Sequence, residues 1–122
     1  MQERNTKQKQ VIARLILEAG HPVSVQEILE VGRGHMSRLG IATVYRTIKR
    51  LLDAGELQAV VIPGDVVRYE AVMPHHHHFK CSRCDRVYDL DGCVKELKSM
   101  VPKGFKVENH ELTFYGCCRS CA

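Results

Sequence analysis

The chain has 122 residues, with 18 Lys or Arg against 14 Asp or Glu, which gives a formal net charge of +4. This length allows one ordinary domain or two very small ones. No run of eighteen apolar residues occurs, so no membrane-spanning helix is predicted. The first ten residues are polar and lack the apolar stretch of a signal peptide, so we expect a cytoplasmic location.

Two helices are predicted at the start of the chain. Apolar residues recur at helical spacing between residues 8 and 19, and Gly20 ends that helix. Ser24 is placed to cap a second helix, and Glu27 three residues later would complete a capping box. The first fifty residues carry nine Lys or Arg against four Glu, which is compatible with a polyanionic partner or with ordinary solvated helix faces.

A loop and a basic helix are predicted next. Residues 41–54 place apolar side chains in one stripe, their first twelve residues include no acid, and Gly55 is a good C-terminal stop. The loop before this helix is predicted from three glycines: Gly32, Gly34 and Gly40.

A hairpin is predicted after the third helix. Residues 57–62 and 66–71 are β-prone, and Pro63-Gly64-Asp65 between them is a turn sequence. The order helix, helix, basic helix, hairpin is that of a winged helix-turn-helix, in which the third helix enters the major groove. We therefore predict a winged-helix DNA-binding domain over residues 1–72.

Residues 73–122 are predicted to form a small α/β domain. The patterns indicate a strand at 76–81, a strand at 86–90, a short helix at 92–101 and a strand at 105–115. The fold class is therefore α+β, with an N-terminal winged helix-turn-helix followed by a small α/β domain.

The cysteines favour a structural zinc site. Six cysteines without an export signal favour metal binding over disulfides, and two Cys-x-x-Cys pairs supply the four thiolates of a closed tetrahedral site. A redox dithiol or buried free thiols are the alternatives. Cys117 and the isolated Cys93 are predicted to be packing residues. The proposed zinc ligands are Cys81, Cys84, Cys118 and Cys121.

Four consecutive histidines precede the first cysteine pair. On a strand, His76 and His78 would point one way and His75 and His77 the other, so the run can serve two different sites. Imidazole suits zinc, iron, copper and nickel, and added carboxylates move the preference toward iron or manganese. The candidate partners elsewhere in the chain are His21, Glu70, Asp89, Glu96 and His110.

Two other functional classes compete with a metal-dependent DNA-binding protein. An enzyme would need a substrate pocket, and no H-E-x-x-H, nucleophile elbow or phosphate loop occurs. We therefore predict that the protein is not an enzyme and has no small organic substrate. The alternative is a zinc-ribbon-type assembly or metal-buffering module without sequence-specific DNA binding.

The ordered set of motifs resembles the ferric uptake regulator (Fur) family of bacterial metal-dependent repressors. The opening RNTKQKQVI at residues 4–12 and GIATVYRTIKRL at residues 40–51 are similar to the family's first motif and its recognition helix. HHHHFKCSRC at residues 75–84 and NHELTFYGCCRSC at residues 109–121 follow in the same order.

The resemblance implies a homodimer that binds a double-stranded DNA operator. Residues 73–122 would form the metal-binding dimerisation domain, with structural Zn2+ on the four thiolates. A second divalent metal (Fe2+, Zn2+ or Mn2+) would occupy a regulatory site and set the angle between the DNA-binding domains. By resemblance, the regulatory ligands are Glu70, His76, His78 and Asp89, with His21 as a candidate fifth.

The resemblance also implies a candidate third metal site and a set of DNA contacts. Tyr45 would press on a thymine methyl group, and Lys7 and Lys9 would lie near phosphate or the minor groove. The DNA-binding residues of the third helix would be Thr43, Tyr45, Arg46, Lys49 and Arg50, and the third metal site would comprise His75, His77, Glu96 and His110.

Overall fold

A computed structural model describes the backbone of residues 2–122 and the side chains of residues 6–122. The side chain of Arg4, in the N-terminal motif, lies outside this range. The chain divides into two compact units, Met1–Val72 and Met73–Ala122, which we call the N-terminal unit and the C-terminal unit. Among the described residues, no helix is both long enough and apolar enough to span a bilayer.

The N-terminal unit is a winged helix, as predicted. Its three strands form an antiparallel sheet in the order β1-β3-β2, with Val23 opposite Tyr69 and Leu57 opposite Ala71. The elements are α1 (Gln2–Leu17), β1 (Val23–Ser24), α2 (Val25–His35), α3 (Ile41–Asp53), β2 (Leu57–Val60) and β3 (Arg68–Ala71).

The core of the N-terminal unit takes apolar side chains from all three helices and from the sheet. Each fully buried Ile, Leu or Val contributes about 1.5–3 kcal/mol relative to an exposed one. This core fixes α3 in the unit through one face of that helix. The most buried members are Ile12, Ile16, Ile28, Leu39, Val44, Ile48, Leu51 and Leu57.

The predicted capping box at the start of α2 is confirmed. The Glu27 backbone N–H donates to Ser24 Oγ at 3.1 Å, and the Ser24 backbone N–H donates to Glu27 Oε1 at 3.2 Å. These two bonds satisfy backbone donors that have no partner within the helix. They explain why the chain leaves β1 and enters a helix without a connecting loop.

The predicted loop after α2 is wrong at two of its three glycines. α2 runs through Gly32 and Gly34 to His35, and only Gly40 lies outside a helix. Gly32 is buried, and a Cβ at this position would overlap Leu39 Cδ2. Gly32 is therefore a contact point that lets Leu39 pack against the helix, and no turn requires it.

A buried arginine connects the turn between β2 and β3 to α2. The Arg68 side chain is 4% exposed, and its Nη1 lies 3.0 Å from Asp65 Oδ2 while its Nε lies 4.0 Å from Glu27 Oε1. Because a buried guanidinium needs anionic partners, these contacts hold the turn close to the start of α2. Gly64 adopts a φ of 78° within this turn.

The C-terminal unit is built around one central strand. Its sheet has the order β5-β4-β6, in which β4 pairs antiparallel with β5 and parallel with β6. A 3₁₀ helix lies between β5 and β6. The elements are β4 (His77–Cys81), β5 (Val87–Leu90), the 3₁₀ helix (Lys95–Met100) and β6 (Thr113–Gly116).

Two elements of the C-terminal unit are shorter than predicted. The helix expected over residues 92–101 is a 3₁₀ helix over Lys95–Met100, and residues 105–112 of the expected last strand have no strand structure. Pro102 and Gly104, whose φ is 90°, interrupt the chain before this stretch. Pairing with β4 begins only at Thr113, opposite His78.

The C-terminal unit has a very small apolar core. Among its described residues, the buried hydrophobic side chains are Cys81, Val87 and Cys118. A unit of this size rarely supplies enough apolar burial for independent stability, and metal ions commonly provide the deficit. Two of these three residues are proposed zinc ligands.

The glycines of α2 give a matched test of the packing at its C-terminal end. Gly32→Ala should destabilise the protein by about 1–2 kcal/mol, because overpacking against buried Leu39 exceeds the gain in helix propensity. Gly34→Ala should stabilise it by about 0.5–1 kcal/mol, because nothing lies within 4 Å of the added Cβ. Urea unfolding followed by helical circular dichroism measures both changes. Equal stabilisation by the two substitutions would contradict the close contact at Gly32.

Candidate metal centres and nucleic-acid interface

α3 presents one polar face and one buried face. Its residues alternate in pairs, so that Val44, Thr47 and Ile48 are buried while the intervening side chains are exposed. Because this spacing matches 3.6 residues per turn, the exposed side chains share one face. These side chains are Tyr45, Arg46, Lys49 and Arg50.

Thr43 does not share the exposure of the other predicted DNA contacts on α3. Its side chain is 8% exposed, and Arg46 Nη2 donates a hydrogen bond to Thr43 Oγ1 at 3.2 Å. Thr47 Oγ1 in turn donates to the Thr43 carbonyl at 2.8 Å. Packing on the core side of α3 therefore covers Thr43, and its hydroxyl oxygen is a hydrogen-bond partner of Arg46.

The other basic residues keep their charges at the surface. Lys49 Nζ lies 3.0 Å from Asp53 Oδ2, but both side chains are more than half exposed, and such a pair contributes little to stability. On α1, Lys7 is exposed and Lys9 is half-buried.

The structure brings the four predicted zinc ligands together. Their sulfur atoms all lie within 4.8 Å of one another, and Cys84 Sγ is 3.8 Å from Cys118 Sγ. Four sulfurs at about 2.3 Å from a tetrahedral ion are separated by about 3.8 Å. The donor set and its spacing therefore fit a structural zinc ion. The ligands are Cys81, Cys84, Cys118 and Cys121.

Hydrogen bonds around this cluster favour thiolate at two sulfurs. Backbone N–H groups of Cys84 and Cys118 point at Cys81 Sγ from 3.5 and 3.4 Å and lower the pKa of Cys81 to about 6. The Tyr88 hydroxyl hydrogen-bonds to Cys118 and lowers the pKa of that thiol. The neighbouring Cys118 sulfur raises the pKa of Cys121 to about 12, so four thiolates together require a bound cation.

Tyr88 is a supporting residue that sequence reasoning missed. It lies on β5 opposite Phe79, and its hydroxyl contacts the cysteine cluster without belonging to a ligand motif. Hydrogen bonds of this kind orient metal ligands and tune their basicity. The pairing of β4 with β5 determines the position of Tyr88. A single sequence does not show which residues of two strands pair, so this position could not be predicted.

His76, His78 and Asp89 form a second donor group within the C-terminal unit. Asp89 Oδ1 lies 3.2 Å from His76 Nε2 and 3.3 Å from His78 Nε2, and Asp89 stands directly opposite His78 in the β4–β5 ladder. His76 Nδ1 lies 2.9 Å from the Pro74 carbonyl, which accepts its proton and leaves Nε2 to act as a ligand. These nitrogen and oxygen donors fit a divalent cation.

Glu70 and His21 belong to the N-terminal unit. Glu70 is buried on β3, where Gln58 Nε2 donates to its Oε1 at 2.9 Å. His21 is half-buried between α1 and β1, with its Nδ1 3.0 Å from the Pro22 carbonyl.

A third donor group contains Cys93 where Glu96 was expected. The group comprises His75, His77, Cys93 and His110, whose ligand atoms lie within 4.8 Å of one another. Cys93 was predicted to be a packing residue, but it is exposed and its sulfur lies within this group. Glu96 is exposed on the 3₁₀ helix and is not in this group.

The antiparallel register explains the position of Cys93. Because His77 pairs with Leu90, the residues that follow Leu90 run back along the histidines that precede β4. His77 is buried, and this burial, with the adjacent His75, lowers the pKa of His77. The lowered pKa favours the neutral form of His77, which is the form of imidazole that binds metal.

Comparisons with known proteins agree with this architecture. A family model described as the ferric uptake regulator family matches residues 1–115. The ferric uptake regulation protein of Bacillus subtilis (strain 168) is 27% identical over 124 residues, covering 95% of this chain and 83% of that protein. The peroxide-responsive repressor PerR of Staphylococcus epidermidis (strain ATCC 12228) is 25% identical over 123 residues, covering 97% of this chain and 81% of that protein.

A solved structure is also similar to the chain. A zinc-bound manganese uptake regulator aligns with a TM-score of 0.77 at 27% identity, covering 91% of this chain and 87% of that one. The resemblance inferred from the ordered motifs is thereby confirmed. Because a family model matches nearly the whole sequence, the chain belongs to the ferric uptake regulator family.

Proposed function

We propose that the protein is a metal-responsive transcriptional repressor that binds operator DNA in the cytoplasm as a homodimer. The observation that carries this proposal is the combination, in one chain, of a winged helix with an exposed basic recognition face and a separate nitrogen and oxygen donor group. The family membership supports the same role. A protein of this class has no substrate to transform and is not an enzyme.

The exposed face of α3 would supply the DNA contacts. Arginine and lysine on this face would neutralise phosphates and read base edges, and the Tyr45 ring would pack on a thymine methyl group. Thr43 would act indirectly, by orienting the Arg46 guanidinium through their hydrogen bond. Lys7 and Lys9 on α1 would contact the DNA backbone or the minor groove.

The C-terminal unit would form the dimer interface. Large apolar side chains are exposed on this unit, and burying them against a second copy would remove them from water. The residues concerned are Val94, Met100, Phe105, Val107, Phe114 and Tyr115. A two-fold dimer would present two α3 helices to successive major grooves, roughly 34 Å apart.

Zn2+ held by the four cysteines would stabilise the C-terminal unit. Cys81 ends β4, and Cys118 and Cys121 follow β6, so an ion on these sulfurs would join the central strand to the end of the chain. Backbone N–H groups aimed at Cys81 hold its thiolate, and the Tyr88 hydroxyl holds that of Cys118. The metal supplies cross-linking, which substitutes for apolar core.

The regulatory site would use His76, His78 and Asp89, joined by Glu70 from the N-terminal unit and by His21 as a candidate fifth ligand. Glu70 lies on β3 of the N-terminal unit. Binding of Glu70 to the metal would therefore couple metal binding to the position of the DNA-binding unit. The donors accommodate Fe2+, Mn2+ or Zn2+. Metal acts through its preference for the DNA-binding conformation, and each 1.4 kcal/mol of that preference shifts the equilibrium about tenfold.

Metal should control operator binding. Protein that retains its cysteine-bound zinc but has lost other metal should bind the DNA upstream of its own gene roughly 5- to 150-fold more weakly than protein supplied with Mn2+. Gel shifts measure this difference. Asp89→Ala should remove the metal response, and Asp91→Asn, which changes an exposed acid two residues away, should preserve it.

Three results would count against the regulatory proposal. These are equal binding with and without added metal, an unchanged response in Asp89→Ala, and the absence of any sequence-specific complex. The last result would favour the alternative of a zinc-ribbon assembly or metal-buffering module.

Tyr45 should determine specificity more than affinity. Tyr45→Ala should lower the preference for operator over unrelated DNA by roughly 1–3 kcal/mol, because the ring contact with a base is lost while phosphate contacts remain. Tyr45→Phe keeps the ring and should keep the preference. Competition gel shifts at fixed salt measure it. If Tyr45→Ala retained full operator preference, α3 would not read the bases through this residue.

A further inference from the structure

The third donor group has the spacing of a metal site. His75 Nε2 lies 3.2 Å from His110 Nε2, and Cys93 Sγ lies 3.3 Å from His77 Nε2 and 3.0 Å from His110 Nε2. A tetrahedral ion with nitrogen ligands at about 2.0 Å and a sulfur ligand at about 2.3 Å separates its donors by about 3.3–3.5 Å. All four residues lie in the C-terminal unit.

We propose that His75, His77, Cys93 and His110 form a thiolate-containing cation site that selects Zn2+-like ions over Mn2+. The sulfur of Cys93 determines this selectivity, because thiolate favours soft and borderline ions whereas carboxylate favours harder ones. The site is chemically distinct from the four-cysteine group and from the group around Asp89. Its ion would be held by three neutral imidazoles and one thiolate.

The positions of the ligands indicate what such an ion would do. Cys93 follows β5 and His110 precedes β6, so they bracket a connection whose only regular structure is the 3₁₀ helix. His75 and His77 lie just before and at the start of β4. An ion bound to all four would fasten both ends of the connection to the central strand. It would act as a second cross-link in a unit with a small apolar core.

A hydrogen-bonded cluster without metal is the competing explanation of the same distances. Imidazole N–H groups and a thiol can share protons at separations of this kind. The two explanations differ in whether the Cys93 sulfur bonds to an added cation. A cobalt charge-transfer band and protection of Cys93 from alkylation both report that bond and do not depend on DNA binding, so the inference can fail while the proposed function stands.

Cobalt titration tests for a metal–sulfur bond. Protein that retains one zinc per chain is titrated with Co2+, and a sulfur-to-cobalt charge-transfer band in the near ultraviolet is followed. We expect the band in the wild-type protein and its loss in Cys93→Ser. Cys117→Ser is the matched control, because Cys117 is exposed and belongs to none of the donor groups of the described residues, and it should keep the band. Zinc content measured in each variant confirms that the four-cysteine site is intact.

Alkylation of the wild-type protein provides a second test that needs no variant. Cys93 and Cys117 are both exposed, so a maleimide should label both in protein that carries only its cysteine-bound zinc. Added Zn2+ should protect Cys93 but not Cys117, as mapped by peptide mass spectrometry, and Mn2+ should protect Cys93 only at much higher concentration. The proposal would be overturned if the cobalt band were absent from the wild-type protein or unchanged in Cys93→Ser. It would also be overturned if Zn2+ did not affect the labelling of Cys93. Equal protection by Mn2+ would overturn its selectivity.

Discussion

The alternation of side chains along the four histidines that lead into β4 is the constraint on which the metal chemistry depends. His75 and His76 precede β4 and His77 and His78 begin it. His76 and His78 lie beside Asp89, whereas His75 and His77 lie beside Cys93 and His110. The same strand ends at Cys81 within the four-cysteine group. β4 and the two residues before it therefore contribute to three donor groups that do not share ligands.

The two units differ in the amount of apolar core that they bury. The N-terminal unit buries a cluster drawn from three helices, whereas the described part of the C-terminal unit buries Val87 and two cysteines as its hydrophobic residues. We therefore expect the stability of the C-terminal unit to depend on metal occupancy. In the N-terminal unit, hydrophobic packing orients α3 without requiring an ion. This division allows metal to regulate DNA binding without folding the DNA-binding unit itself.

Local patterns were sufficient to predict much of this structure. The capping box at Ser24, the basic helix before Gly55 and the hairpin turn at Pro63-Gly64 each depend on residues a few positions apart. The convergence of the four zinc cysteines followed from metal chemistry, because two Cys-x-x-Cys pairs complete one coordination shell.

The errors occurred where a distant contact decides the outcome. Gly32 indicated a loop by composition, but its role is to admit Leu39, which a single sequence does not reveal. Cys93 is far in the sequence from the histidines of its donor group, and the pairing of His77 with Leu90 brings it close to them. Thr43 and Tyr45 are close in the sequence, yet only the packed helix shows that one is buried and the other exposed.

Anomalous diffraction at the zinc edge, from crystals of zinc-saturated protein, shows directly which of the four histidines bind the same ion. We expect three peaks per chain: one among the four cysteines, one between His76, His78 and Asp89, and one between His75, His77, Cys93 and His110. No two adjacent histidines should share an ion. An ion bound by both His76 and His77, or the absence of a peak among the four cysteines, would contradict this assignment of ligands.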